Sequence, residues 1–267
     1  MQPTTIKSTS SVLHHPTAII SPGATLGVNV RVGAFTIIED GAVIGDNTEI
    51  RSSVVIYSAA RIGADCVIHP GAVIGAEPQD LKFNGEATLA FIGDRTVIRE
   101  CVTINRGTDA SGETRIGSDC LIMAYCHAAH DCAVGNHVII ANASQLGGHV
   151  VIEDYAIIGG VAKIHQFSKI GKHAMVGAGT KIVKDIPPFA LVDGIPARFE
   201  TVNKIGLKRR GFSDSAIQEL EDFYQTILRS GLNISAGITK FQERGALHSE
   251  TLDCITFIKT SKRGICR

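Results

Sequence analysis

The sequence predicts a parallel β-helix of triangular coils followed by a small helical domain. Three observations carry this: a six-residue aliphatic repeat that keeps its phase, a small residue four places after most of those aliphatics, and a change to helical spacing beyond the repeat. From Leu26 every sixth residue is aliphatic through Ile74. The same phase resumes at Ile92, Ile98 and Ile104, and runs again from Ile116 to Ile182 with Ala128 as a smaller member.

The second inward position of each hexad holds Thr36, Ala42, Val54, Ala60, Cys66, Ala72, Val102, Val138, Ser144, Ala156, Ala162, Ala174 or Thr180. One large and one small inward residue in every six describe a short flat strand ending in a corner, and three such strands close a coil of eighteen residues. Coils should stack at the strand spacing of about 4.8 Å, so that aliphatics form internal ladders. One ladder is expected to read Val32, Ile50, Ile68, Ile104, Ile122, Ile140, Ile158 and Val176. Glycine often follows the aliphatic, as at Gly33, Gly45 and Gly93, where the backbone is expected to bend or take unusual dihedral angles.

Two segments break the hexads without losing phase, Glu77 to Leu89 and Thr108 to Glu113. Each reads as a loop thrown out from the wall, where function tends to sit. The repeat fades at the proline-rich IPPF and GIPARF, which suggests a β-helix over residues 1–192 and a helical domain over 193–267. There Ser213 suits a helix cap, Ile217, Leu220, Phe223, Tyr224, Ile227 and Leu228 recur at helical spacing, and Gly231 suits the end. Weaker helical patterns pass through Ile238 and Phe241, and from Ser249 to Ile258.

Composition narrows the function classes. Lysine plus arginine (26) balances aspartate plus glutamate (26), so no global field draws the chain to nucleic acid or an acidic membrane. The seven cysteines contain no C-x-x-C pair, which argues against a disulfide framework and a zinc ribbon and suits a reducing cytoplasm. No stretch has the apolar length of a signal peptide core or a membrane span. Few aromatics, no tryptophan and 28 glycines suit a narrow solenoid.

Positions eighteen apart should be neighbours on successive coils. His130, Gly148 and Gln166 then form one column, with Asp131, His149 and Phe167 beside it and His127, Gln145 and Lys163 just before it. His165 adjoins Gln166. A lone surface histidine reads as a solvated side chain, but four of them with an aspartate on three coils exceed what packing requires. Cys66, Cys120, Cys126 and Cys132 fall at the small inward position and read as core. From charge alone Lys208, Arg209 and Arg210 read as a solvated run.

The segments HAAHDC (127–132), PQDLKF (78–83), QLGGH (145–149), IHQF (164–167) and GLKRRGF (206–212) together resemble the UDP-N-acetylglucosamine acyltransferases of lipid A synthesis. The resemblance implies a left-handed β-helix, an exception to the usual right-handed crossover, and an enzyme with no cofactor or metal. By the same likeness His130 is the general base toward the sugar 3-hydroxyl, Asp131 orients it, and the Gly148 N–H receives the oxyanion. Asp80 and Lys82 match sugar and phosphate contacts, His127, His149, His165 and Gln166 further substrate contacts, and Asn203, Arg209 and Arg210 the nucleotide-binding end. Ala178 matches the residue that measures the acyl chain. Asn105 and Ile205 stand where many relatives carry histidine and some carry glutamate.

The implied partners are UDP-N-acetylglucosamine and acyl carrier protein bearing a 3-hydroxyacyl thioester, met by Lys208, Arg229, Lys259 and Arg263, within a homotrimer. Two rival readings remain. The N-acyltransferase of the same pathway carries an additional N-terminal domain, whereas hexads begin here almost at the start. A zinc-dependent carbonic anhydrase on the same coils would use three histidines across a subunit boundary.

Overall fold

A computed structural model describes residues 13–267. The chain forms two compact units, one ending at Cys132 and the other spanning Ala133–Arg267.

In the first unit the strands form three parallel sheets. One takes Leu13–His14, Arg31–Val32, Glu49–Ile50, Val67–Ile68, Val97–Ile98 and Leu121–Ile122 in order. The second runs from Ile19–Ile20 through Ile37–Ile38, Val55–Ile56, Val73–Ala76 and Thr103–Asn105 to His127–Ala128. Thr25–Leu26, Val43–Ile44, Ala60–Ile62, Leu89–Ile92 and Glu113–Ile116 make the third. A chain that visits the sheets in rotation winds into coils, here a left-handed parallel β-helix.

Register corrects the expected ladder. Ile50 pairs with Ile68, eighteen residues on, but Ile68 pairs with Ile98 and Ile98 with Ile122, steps of 30 and 24. The loops before Leu89 and before Glu113 add twelve and six residues to the coils that carry them. Both are whole hexads, so the inward phase survives while the sheet assignment shifts. Ile104 therefore lies with Ile74 and Ala128, not with Ile68.

The inward pattern is met from Val32 onward, while Leu26 is half-buried. Ile38, Ile56, Ile68, Ile74 and Ile98 are completely buried, as are Thr36, Ala42, Val54, Cys66 and Ala72. Each buried isoleucine contributes roughly 1.5–3 kcal/mol. Inward threonines leave no orphan hydroxyl: Thr48 donates to the Gly63 carbonyl (2.8 Å) and Thr96 to that of Gly117 (2.7 Å).

Gly75 takes the expected unusual dihedral, φ 84°, but other hexad glycines serve a different purpose. A Cβ on Gly33 would lie 2.6 Å from the Arg51 carbonyl carbon and the Ser52 nitrogen, so close approach of the next coil requires glycine. Left-handed dihedrals fall three residues after the inward aliphatic or its Ala128 counterpart, on Phe35 (φ 58°), Asn47 (φ 58°), Asp65 (φ 57°) and Asp131 (φ 59°). Asparagine and aspartate tolerate that region best.

The second unit continues the same rules with an eighteen-residue register as far as Lys181. Ile139 pairs with Ile157 and Ile157 with Met175, Gln145 with Lys163 and Lys163 with Lys181, Ala133 with Val151 and Val151 with Lys169. Ala190–Asp193 joins Met175–Val176 in parallel, and Arg198–Val202 then turns back antiparallel upon it.

Four helices follow: α1 (Lys204–Arg209), α2 (Asp214–Arg229), α3 (Ile234–Gln242) and α4 (Ser249–Thr260). Ser213 caps α2 by accepting the Ala216 N–H at 3.1 Å, as expected. Ile217, Leu220, Phe223, Tyr224 and Ile227 face a core shared with Phe189, Phe241, Cys254 and Ile255. The buried Tyr224 hydroxyl donates to the Pro188 carbonyl at 2.6 Å. Among the described residues no helix is long and apolar enough to cross a membrane.

Candidate functional site

In the first unit Asp131 is the most heavily bonded side chain of the predicted set. Its side chain has no solvent exposure. Oδ1 accepts the Thr108 N–H (2.9 Å) and the Ser111 hydroxyl, while Oδ2 accepts the Thr108 hydroxyl (2.7 Å) and His130 Nδ1 (2.7 Å). Thr114 receives the Asp131 backbone N–H at 2.8 Å. Burial alone would raise this carboxyl. The hydrogen bonds from Ser111, His130 and Thr108 outweigh it and bring the pKa down to about 2.

An ionised carboxylate can only accept, so the proton shared with His130 sits on Nδ1 and the imidazole lone pair on Nε2. The pair can thus lift a proton at a fixed ring atom, with the charge that develops stabilised by Asp131. Thr108 and Ser111 escaped the sequence reading because they come from the second register-breaking loop. His127, half-buried, bonds Thr103 Oγ1 through Nδ1 at 2.7 Å. Burial pushes its pKa down, outweighing the bond with Thr103, and repulsion between two protonated rings at His127 and His130 acts in the same direction.

The first loop places Asp80 and Lys82 at a tight turn in which Asp80 accepts the Lys82 N–H (3.0 Å), with Lys82 and Leu81 exposed. The loop is tied from beneath. Asn105, only 4% exposed, donates to the Glu77 carbonyl at 2.8 Å, and the Arg106 guanidinium covers the Phe83 ring at 5.0 Å from its centroid. Asn105 Oδ1 and Arg106 Nε are buried without a hydrogen-bond partner among the described residues.

In the second unit Gly148 is buried, and its carbonyl accepts the Phe167 N–H at 3.0 Å, one coil on. His149 stacks on Phe167 with centroids 4.4 Å apart. His165 and Gln166 are exposed, and Arg263 reaches His165 Nδ1 at 3.4 Å. Ala178 is an exposed corner residue.

Asn203 is buried and internally engaged. It caps α1 by accepting the Gly206 N–H (3.2 Å) and donates to the His173 carbonyl (3.0 Å). Arg209 is exposed at the end of that helix, while Arg210 is half-buried over Tyr155. Of the other basic residues, Lys208 pairs with Asp214 at 2.8 Å and Arg229 donates to the Glu200 carbonyl at 3.2 Å.

Known proteins resemble this chain over nearly its whole length. A family model described as bacterial transferase hexapeptide (six repeats) matches residues 41–76 and 113–148. Another, described as UDP N-acetylglucosamine O-acyltransferase, domain 2, matches residues 185–266. An acyl-[acyl-carrier-protein]–UDP-N-acetylglucosamine O-acyltransferase of Chlorobaculum parvum is 53% identical over 251 residues, 94% of this chain and 95% of that one. The chain belongs to the UDP-N-acetylglucosamine O-acyltransferase family.

Solved members agree. The UDP-N-acetylglucosamine acyltransferase of Bacteroides fragilis superposes with a TM-score of 0.93 at 43% identity, covering 95% of this chain and 99% of that one. The UDP-N-acetylglucosamine O-acyltransferase of Moraxella catarrhalis gives a TM-score of 0.89 at 38% identity, over 95% and 99% of the two chains.

Proposed function

We propose that this chain transfers a 3-hydroxyacyl group from acyl carrier protein to the 3-hydroxyl of UDP-N-acetylglucosamine, the first step of lipid A synthesis. The observation that carries the reading is family kinship over almost the full length, joined to a part-buried His130 whose tautomer the buried Asp131 fixes. Kinship of this kind favours acyl transfer over the zinc hydratase and over the N-acyltransferase.

In the mechanism His130 Nε2 takes the proton of the sugar 3-hydroxyl as its oxygen attacks the thioester carbonyl. The new C–O bond forms, and the carbonyl electron pair moves to oxygen, where the Gly148 N–H receives it. Collapse breaks the C–S bond, and His130 returns the proton to the departing thiolate. Asp131 holds the ring and stabilises the imidazolium between these transfers. The assignment of Gly148 rests on its interval of eighteen residues from His130 in the sequence.

Asp80 and Lys82 hold sugar and phosphate, with His127, His149, His165 and Gln166 as further contacts. Arg209 and Arg210 hold the diphosphate, since guanidinium forks suit its oxygens. Asn203 acts through α1, whose end carries both arginines. Ala178 closes the acyl groove. A cytoplasmic homotrimer, with sites at subunit boundaries, supplies the groove that a solid coil lacks, and the basic residues of the helical region receive the acidic carrier protein.

Incubation with UDP-N-acetylglucosamine and a panel of hydroxyacyl carrier-protein thioesters, read by mass spectrometry, tests the activity. A 3-O-acylated nucleotide sugar is expected. Stoichiometric zinc with carbon dioxide hydration and no acyl product would overturn it.

A further inference from the structure

Within the second unit four rings stand in one column. His137 stacks on Tyr155 (4.5 Å, 9°), Tyr155 on His173 (4.8 Å, 2°) and His173 on Phe189 (5.5 Å, 10°). All four occupy the left-handed corner position, with φ of 56°, 61°, 56° and 62°. That corner points side chains outward at the coil spacing, which is the separation at which parallel rings pack.

The column meets the residues just beyond α1. The Arg210 guanidinium lies 5.2 Å from the Tyr155 centroid, and its Nη1 is 3.5 Å from His173 Nδ1. Phe212 sets its edge against His173 (5.0 Å) and Phe189 (5.9 Å). The His173 carbonyl takes the Asn203 side-chain amide at 3.0 Å, so the start of α1 rests on the same post. Arg209, one residue earlier, is exposed and touches none of these rings in the contacts that hold Arg210.

We propose that the Tyr155–His173 pair is a positioning element for the nucleotide sugar, holding the Arg210 guanidinium beside the ring stack so that the fork meets the diphosphate already oriented. The inference rests on the reading of Arg210 as a diphosphate ligand. Nη1 spends one N–H on His173 Nδ1, which fixes the side chain and leaves the other guanidinium donors to meet a ligand. His173 suits the seat because its ring stays neutral. Burial, then the charges of Arg210 and Lys172, push its pKa down to about 4.

The test is a double-mutant cycle on initial rates. Tyr155→Leu should raise KM for UDP-N-acetylglucosamine about tenfold while kcat and KM for the acyl donor stay within about twofold. Tyr155→Phe, which keeps the ring, should restore KM. In an Arg210→Ala background Tyr155→Leu should add little, because the ring acts through that guanidinium. If the Leu variant does not fold, Tyr155→Met, nearer in length, carries the same cycle. Full multiplicative effects in the cycle, or a kcat loss with KM unchanged, would overturn the positioning role. Should Arg210→Ala alone leave KM unchanged, the diphosphate reading of Arg210 would be the part that fails.

Discussion

Replacing Asp131 by asparagine keeps the volume and removes the charge on which His130 depends. The Thr108 N–H can only donate, so the asparagine carbonyl must face it and the Ser111 hydroxyl, and the amide N–H₂ must face His130 Nδ1. Nδ1 then accepts, the ring proton moves to Nε2, and the lone pair proposed to remove the sugar proton is lost. A wrong tautomer at such a dyad lowers kcat on the order of 10²- to 10⁴-fold.

Stability shifts as well. The folded carboxyl titrates at about 2 against an ordinary 3.8, a preference for the charged form of roughly 2 kcal/mol. A lowered folded pKa gives stability that is complete above the ordinary value and is lost as pH falls from 3.8 toward 2. Steady-state turnover at saturating substrates, with urea unfolding at neutral and acid pH, reads both effects. A folded Asp131→Asn enzyme with kcat within about threefold of native would refute the tautomer argument.

Three further outcomes follow from the same structure. Gly33→Ala forces a Cβ to within 2.6 Å of the next coil's backbone and should cost about 1–3 kcal/mol in urea unfolding; no loss would show that the coils can part there. His173, held at about 4 against an ordinary 6.5 by burial and by Arg210 and Lys172, with Asp154 and Glu250 pulling the other way, is neutral in the fold. Stability should be full above 6.5 and fall as pH drops toward 4, a slope that His173→Phe removes; equal slopes in thermal melts of the two proteins would contradict it. Ala178→Met should shift the ranking of acyl donors toward shorter chains, and an unchanged ranking in a folded variant would place the ruler elsewhere.

The repeat was legible because inward positions tolerate so little: Ile38 and Thr36 are both wholly buried, and few residue types fit either place. Counting coils across the loops failed at Ile104. Insertions of whole hexads preserve phase, and phase is all that a periodic sequence displays. The six-residue α1 went unseen because only Leu207 within it is buried, too little to set a helical period.

At the site, His130 and Asp131 stood out as polar groups where packing needs none. Their partners Thr108 and Ser111 did not, since ordinary hydroxyl residues on a loop carry no period and gain meaning only when 23 and 20 residues of chain bring them back to the carboxylate. The aromatic column was hidden in another way. His137, Tyr155 and His173 keep the eighteen-residue interval, but side chains of mixed polarity do not read as a ladder until their corner geometry is known.

The central claim is that His130 performs the proton transfer in acyl transfer to a nucleotide sugar. Turnover of His130→Ala with the native hydroxyacyl thioester, set beside calorimetric binding of UDP-N-acetylglucosamine, tests it most directly. The account predicts a fall in kcat on the order of 10²-fold or more with nucleotide-sugar affinity nearly unchanged. Near-native turnover of the folded variant would contradict it.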